Sequence, residues 1–169
     1  MIDAATQSQG EMPEPRRLDL PLLPTGQGER YYLERFMGAF GAEWNGKAIV
    51  VAPTGHPLAV SRLLFTDHKS GGLKIAKQGR APYVPYIVET IKHPDEIRLI
   101  TGDFGDRALY FLARYGIGHD LTGVLAIFAE RGATWEGWTG YQMPLKSATQ
   151  AAYFESKRDG AILFRRPEM

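Results

Sequence analysis

The chain has 169 residues, of which 44% are hydrophobic and 23% are charged, and its formal net charge is +1 at pH 7. These values are ordinary for one globular domain with a sizeable core. The sequence contains no cysteine, which excludes disulfides, thiolate metal sites and cysteine nucleophiles. No apolar run reaches the roughly eighteen residues of a membrane helix, and the N-terminus lacks the layout of a secretory signal. We therefore expect a soluble protein made in the cytoplasm, with no membrane partner.

The first 28 residues are rich in proline and small polar side chains. Four prolines interrupt this segment, namely Pro13, Pro15, Pro21 and Pro24. Such a composition predicts a flexible arm or linker over residues 1–28, followed by one folded domain over residues 29–169. Leucines within the arm, such as Leu18 and Leu20, offer a means of docking it onto the domain.

The domain begins with helical and strand patterns in alternation. Tyr32, Phe36 and Phe40 recur every four residues and predict a helix that starts at Glu29. A short strand is predicted within residues 47–53, whereas the pattern of residues 56–65 fits either a strand or a helix. A second helix is predicted over residues 82–92, because apolar residues at helical spacing end just before Pro94.

After this helix the pattern changes to that of strands. Four segments separated by short polar turns, residues 97–101, 108–115, 123–130 and 134–141, predict an antiparallel meander. A short helix over residues 146–157 and a last strand over residues 161–165 complete the chain. The order of elements predicts an α+β fold, with N-terminal helices packed on one face of a four- to five-stranded antiparallel sheet.

Positive charge is concentrated in residues 62–80, which we name the basic stretch. It contains five Lys or Arg residues against a single acid, Asp67. Glycines at positions 71, 72 and 79 predict an irregular loop. A local excess of cations on a nearly neutral chain indicates a surface for a polyanion, and a solvated loop is the alternative interpretation.

Common catalytic and cofactor motifs are absent from the sequence. It has no glycine-rich nucleotide motif, no G-x-S-x-G elbow and no paired histidines at metal-binding spacing. We therefore expect neither a cofactor nor a metal ion. The chemistry left open is that of His, Lys, Arg, Tyr, Thr and Ser side chains.

Several segments of the chain resemble one family of nuclease domains. They are LFTDHKSGGLKIAKQGRAPYVPYIVETIKHPDEIRL at 64–99, RALY at 107–110, WTGY at 138–141 and RDGAILFRR at 158–166. In order and spacing they resemble the C-terminal nuclease-like domain of Mu-type phage head morphogenesis proteins, within the barnase–EndoU–colicin–RelE group. The resemblance covers roughly residues 30–166. It implies a barnase- or RelE-like fold and metal-independent cleavage of RNA.

The resemblance also implies partners and a setting for the protein. The expected substrate is tRNA or mRNA, and a cognate immunity protein and phage head proteins are further expected partners. The expected location is the bacterial host cytoplasm, a phage head, or a target cell into which the protein is delivered.

Metal-free RNA cleavage needs a proton-transfer group and cations that stabilise a pentacoordinate phosphate. His68 is the candidate base or acid because its unperturbed pKa lies near working pH. Lys74 and Arg80 are the candidate phosphate ligands, and Thr139 is a candidate hydroxyl donor on a late strand. These four are the expected catalytic residues.

Further residues are expected to contact the substrate. The two tyrosines among them are either stacking partners for bases or core residues, and the four cations are either phosphate contacts or solvated surface charges. They are Lys69, Lys77, Arg107, Tyr110, Tyr141 and Arg158.

Two other functions fit the sequence. The first is a non-catalytic module of a phage head or injected protein that binds RNA or a partner through the same surface. The second is a small ADP-ribosyl transferase, which needs an acidic residue near a strand end, where Glu130 and Glu136 lie.

Overall fold

The computed structural model describes residues 10–167. The helices in this range are α1 (Glu29–Gly38), α2 (Val84–Lys92) and α3 (Ala148–Ser156), with short 3₁₀ helices at Arg62–Phe65 and Ala81–Tyr83. The strands are β1 (Lys47–Val51), β2 (Pro57–Ser61), β3 (Glu96–Thr101), β4 (Arg107–Ile117), β5 (Asp120–Arg131), β6 (Thr134–Pro144) and β7 (Ala161–Arg165). None of the helices described is long and apolar enough to cross a membrane.

The described strands form one seven-stranded sheet in the order β1-β2-β6-β5-β4-β3-β7. The predicted α+β class and the antiparallel meander from β3 to β6 are confirmed. The prediction of four to five antiparallel strands is wrong, because the β1–β2 hairpin and β7 extend the sheet at its two ends. β2 also pairs with β6 in parallel, through Leu58↔Trp135 and Ala59↔Glu136, so the sheet is mixed.

The two faces of the sheet are covered differently. Side chains alternate along each strand, so Leu109 and Phe111 point into the core beneath α1 and α2, whereas Tyr110 and Leu112 point away from it. We name the face that carries Tyr110 and Leu112 the open face.

Part of the open face is covered by α3. Phe154 of this helix packs on Leu112 and Leu125. The contact requires a glycine at position 123, where a Cβ atom would lie 2.6 Å from the Phe154 ring. The N-terminal helices α1 and α2 pack on one face of the sheet, as predicted, and the C-terminal helix α3 packs on the other.

The described part of the N-terminal arm, residues 10–28, packs against the domain. Arg16 forms a parallel bridge with Tyr115. The hydroxyl of Tyr86 donates to the Leu20 carbonyl at 2.9 Å, and that of Tyr32 donates to the Pro24 carbonyl at 2.6 Å. Met12 is buried on the open face beside α3. The first nine residues of the predicted arm lie outside the described residues.

Candidate active site

The basic stretch is folded into a series of turns rather than an extended loop. The carboxylate of Asp67 accepts the backbone N–H groups of Lys69 at 2.9 Å and Ser70 at 3.4 Å. These two hydrogen bonds lower the pKa of Asp67. Gln78 has φ 58°, an uncommon value for a residue other than glycine. These turns fix the backbone from which the cations of this segment project.

Side chains of the basic stretch lie along an edge of β6 that has no neighbouring strand in the described chain. β2 pairs with β6 only at Trp135 and Glu136, so we name residues 138–142 the β6 edge. The Nε2 atom of His68 donates to the Trp138 carbonyl at 2.7 Å, and Nη1 of Arg80 donates to the Gly140 carbonyl at 3.0 Å. These two contacts lie on either side of Thr139.

His68 has one ring nitrogen fixed and the other available. Its ring stacks on that of Trp138, with centroids 3.6 Å apart and planes 5° apart. A carbonyl oxygen can only accept a hydrogen bond, so Nε2 carries the proton in the neutral ring. Nδ1 is then the nitrogen that can accept a proton, and the side chain is exposed. This geometry suits a general base.

Lys74 has a partly buried ammonium group. Within residues 10–167 it forms no hydrogen bond or salt bridge through its side chain. Burial and the nearby charge of Arg80 lower the pKa of Lys74, and Asp67 opposes that shift. A desolvated cation beside a second cation is a favourable position for an anionic ligand.

Arg80 is buried, with only 4% of its surface exposed. Besides Gly140, its guanidinium donates to the Gln78 side chain at 2.9 Å and to the Lys77 carbonyl at 3.3 Å. Burial lowers its pKa. Arg80 therefore links the basic stretch to β6. Because its donors are engaged by protein acceptors, it would stabilise a phosphate mainly through its charge.

Thr139 and the two predicted tyrosines lie on the open face. Tyr110, Ile127 and Thr139 are direct neighbours across β4, β5 and β6. The hydroxyls of Tyr141 and Tyr153 are 3.4 Å apart. Burial, Tyr153 and Tyr110 raise the pKa of Tyr141, so its hydroxyl remains neutral at physiological pH. Both tyrosines are half-buried and border the same surface as Thr139.

Arg107 lines a hollow that Tyr110 also borders, but its guanidinium is engaged by other groups. It forms an ion pair with Glu130, and its guanidinium lies 5.5 Å from the centroid of the Trp135 ring. Trp135 belongs to the core beneath α1 and α2. The same ion pair engages Glu130, one of the two acids that an ADP-ribosyl transferase would use.

Arg158 lies elsewhere, in a buried ionic cluster. It donates to both carboxylate oxygens of Glu96 at 2.8 Å and pairs with Glu155. Arg98 and Arg165 contact the same Glu96 carboxylate. These contacts give Arg158 a structural role.

The remaining predicted cations, Lys69 and Lys77, are exposed in the basic stretch. The charge of Lys77 contributes to the lowered pKa of Asp67. Lys77 and Lys74 therefore both lie near the Asp67 carboxylate, because the charges of both lower its pKa.

Sequence reasoning missed Trp138 and Arg131. Trp138 is 40% exposed and is the extra residue of a β-bulge opposite Ile127 and Phe128. The guanidinium of Arg131 lies 5.7 Å from its ring centroid. The sequence does contain a signal for an exposed tryptophan. Trp135 and Trp138 are three residues apart, so a regular strand cannot bury both on one face.

Comparison with known proteins identifies a family. No curated protein and no solved structure matches the chain. The family model described as phage-Barnase-EndoU-ColicinE5/D-RelE like nuclease2 matches residues 35–165. This range includes the basic stretch and all seven described strands. The chain belongs to this family of nuclease domains.

Proposed function

We propose that the chain is an endoribonuclease that cleaves RNA without a metal ion, by attack of the 2′-hydroxyl on the adjacent phosphorus. Membership of a nuclease family supports the general reaction. The observation that carries the proposal is the grouping at the β6 edge. There His68 and Arg80 bind carbonyls on either side of Thr139, and Lys74 lies within the field of Arg80.

Each residue has a defined part in this reaction. Nδ1 of His68 takes the proton of the 2′-hydroxyl as the bond from that oxygen to phosphorus forms. Lys74 and the charge of Arg80 stabilise the negative charge on the non-bridging oxygens, and the Thr139 hydroxyl donates to one of them. The bond to the 5′-oxygen then breaks, and that oxygen is protonated from solvent. The products are a 2′,3′-cyclic phosphate and a free 5′-hydroxyl.

The charges at the β6 edge support a metal-independent reaction. Lys74 and Arg80 are cations there, and cations can neutralise phosphate directly.

The proposal extends to partners and setting. Unrestricted cleavage of tRNA or mRNA would harm the producing cell, so we propose a cognate immunity protein that covers the β6 edge. The family description includes phage domains, and attachment to a phage head protein would deliver the domain to a host.

A non-catalytic RNA- or partner-binding module is the second candidate. The observation that favours it is that His68 and Arg80 both use hydrogen bonds to hold β6. In a module of this kind the same contacts would simply shape a binding surface.

An RNA cleavage assay separates the two candidates. The protein is made by cell-free synthesis and incubated in EDTA with an RNA oligonucleotide and with its fully 2′-deoxy counterpart. The proposal predicts cleavage of the RNA alone and a cyclic phosphate on the product. Cleavage only with added divalent metal, or cleavage of the deoxy strand, contradicts the proposed mechanism. A gel shift without any cleavage identifies a binding module.

A further inference from the structure

Part of the open face is left uncovered by α3 and the N-terminal arm. The uncovered part consists of two rows of neighbouring residues across β4, β5 and β6. These rows are Ala108, Ala129 and Glu136, and Tyr110, Ile127 and Thr139. Ala108 and Ala129 are small, and a hollow of about 300 Å³ lies above them, bordered at one end by Asp106 and Arg107. We name it the β4–β6 hollow.

The β4–β6 hollow has an apolar floor and aromatic borders. Ala108, Ile127 and Ala129 form the floor, and Tyr110 and Trp138 line its sides. These two rings are held by the sheet, one within β4 and one in the bulge of β6. The surface is therefore preorganised for a flat apolar group.

An exposed arginine also borders the hollow. Arg131, which also lines the hollow, is exposed, and its guanidinium lies over the Trp138 ring. The Trp138 ring thus contacts both the Arg131 guanidinium, 5.7 Å from its centroid, and the His68 ring, 3.6 Å from it. Among the described residues its side chain has one hydrogen bond, to the neighbouring Glu130 carbonyl. An exposed arginine with one local contact can move to cover a ligand.

We propose that the β4–β6 hollow binds one unpaired nucleobase of a single-stranded RNA substrate. This inference rests on the proposed function and specifies the form of its substrate. Bases splayed out of single strands stack on aromatic rings and guanidinium planes, which are the groups around this hollow. The floor accommodates one flat ring system, and a base inside a duplex cannot leave its stack without paying the unpairing energy.

The position of the hollow relates the bound base to the cleaved phosphate. Trp138 lines the β4–β6 hollow, and its ring also stacks on that of His68 at 3.6 Å. A nucleotide whose base occupies the hollow thus has its sugar and phosphate near the β6 edge. The hollow would position the 2′-hydroxyl of that nucleotide for His68.

A substitution that fills the hollow tests this inference. Ala129→Leu places a larger side chain on the floor and leaves Trp138 and His68 unchanged. The probe is a fluorescent single-stranded RNA with 2′-O-methyl groups, which cannot undergo the proposed cleavage. We expect Ala129→Leu to weaken binding about tenfold or more, the scale of lost base stacking. Ala161→Leu, the same exchange at an exposed position of β7, is the matched control and should bind as the wild type does.

The outcomes separate this inference from the proposed function. Weaker binding by Ala129→Leu supports base binding in the hollow, even if the wild type cleaves no RNA. If a folded Ala129→Leu protein binds the probe as tightly as the wild type, base binding in the hollow is overturned, even if the wild type does cleave RNA. Should the variant fail to fold, the wild type decides: equal affinity for the single-stranded probe and its duplex overturns the inference, and a clear preference for the single strand supports it.

Discussion

At the scale of single residues, Lys74 and Arg80 differ in their burial and in their hydrogen-bond partners. Arg80 is buried and bound to three protein acceptors, as suits a planar group with several fixed donors. The ammonium of Lys74 has no such acceptor in the described chain and has a lowered pKa. One cation therefore fixes the local backbone, and the other remains available to a phosphate.

We predict that Lys74→Met weakens RNA binding without lowering stability. A lowered lysine pKa means that the unfolded chain binds the proton more tightly than the folded chain. The charged Lys74 thus destabilises the fold at neutral pH, and this cost is removed only as pH rises above the lowered pKa. The variant should unfold at an equal or higher urea concentration. Its RNA affinity should fall, and the slope of log affinity against log salt should flatten by about one unit.

The matched control is Lys47→Met, which removes the same charge from an exposed position on β1. It should leave the affinity for RNA nearly unchanged. A Lys74→Met protein that binds RNA as tightly as the wild type would show that Lys74 does not contact phosphate.

At the scale of elements, β6 organises the candidate active site. Gly137 allows Leu64 to pack against the strand, since a Cβ atom there would lie 2.6 Å from the leucine side chain. The adjacent bulge places Trp138 and Thr139 at the open face. β6 thereby joins the basic stretch on one side to the β4–β6 hollow on the other.

The sequence predicted local elements better than long-range pairing. Apolar spacing located α2, and polar turns located the strands of the meander, because these signals lie within each segment. The pairing of β2 with β6 joins Leu58 to Trp135, and no local pattern encodes a contact between residues so distant in the chain. The bulge at Trp138 likewise depends on the register of β5 against β6.

The same distinction applies to the predicted site residues. His68, Lys74 and Arg80 share one short segment, so their proximity followed from the sequence. Arg107 and Arg158 were equally plausible as cations, but their partners, Glu130 and Glu96, lie on other strands. The folded sheet determines which carboxylate each arginine pairs with.

We predict that Glu96→Gln strongly destabilises the fold. Burial alone would raise the pKa of Glu96, but the hydrogen bonds and charges of Arg158, Arg98 and Arg165 outweigh burial and lower it. Removing the carboxylate leaves these arginines without their buried counter-charge, which typically costs about 3–5 kcal/mol. Urea unfolding at pH 7 should show this loss.

The pH dependence of this effect has a definite sign. A carboxylate with a lowered pKa stabilises the fold above its unfolded pKa, and this stability is lost as pH falls through the lowered value. The difference in free energy of unfolding between the wild type and Glu96→Gln should therefore become smaller at acid pH. Glu155→Gln removes the more exposed partner of Arg158 and should cost at most about 1 kcal/mol. A Glu96→Gln protein as stable as the wild type at pH 7 would contradict this interpretation.

At the scale of the whole molecule, the proposed function depends on local rather than overall charge. A net charge of +1 provides little general attraction for a polyanion. The cations of the basic stretch, Tyr141 and the β4–β6 hollow instead lie along β6. The described part of the N-terminal arm covers the far end of the open face, so the uncovered end is the one next to His68.

The most direct test of metal-free cleavage at the β6 edge is the single-turnover cleavage rate of His68→Ala in EDTA, measured together with its affinity for uncleavable RNA. We predict that the rate falls by about 10²–10⁴, the range for a general acid or base, while affinity and melting temperature change little. A folded His68→Ala protein that cleaves RNA at the wild-type rate would contradict the proposed mechanism.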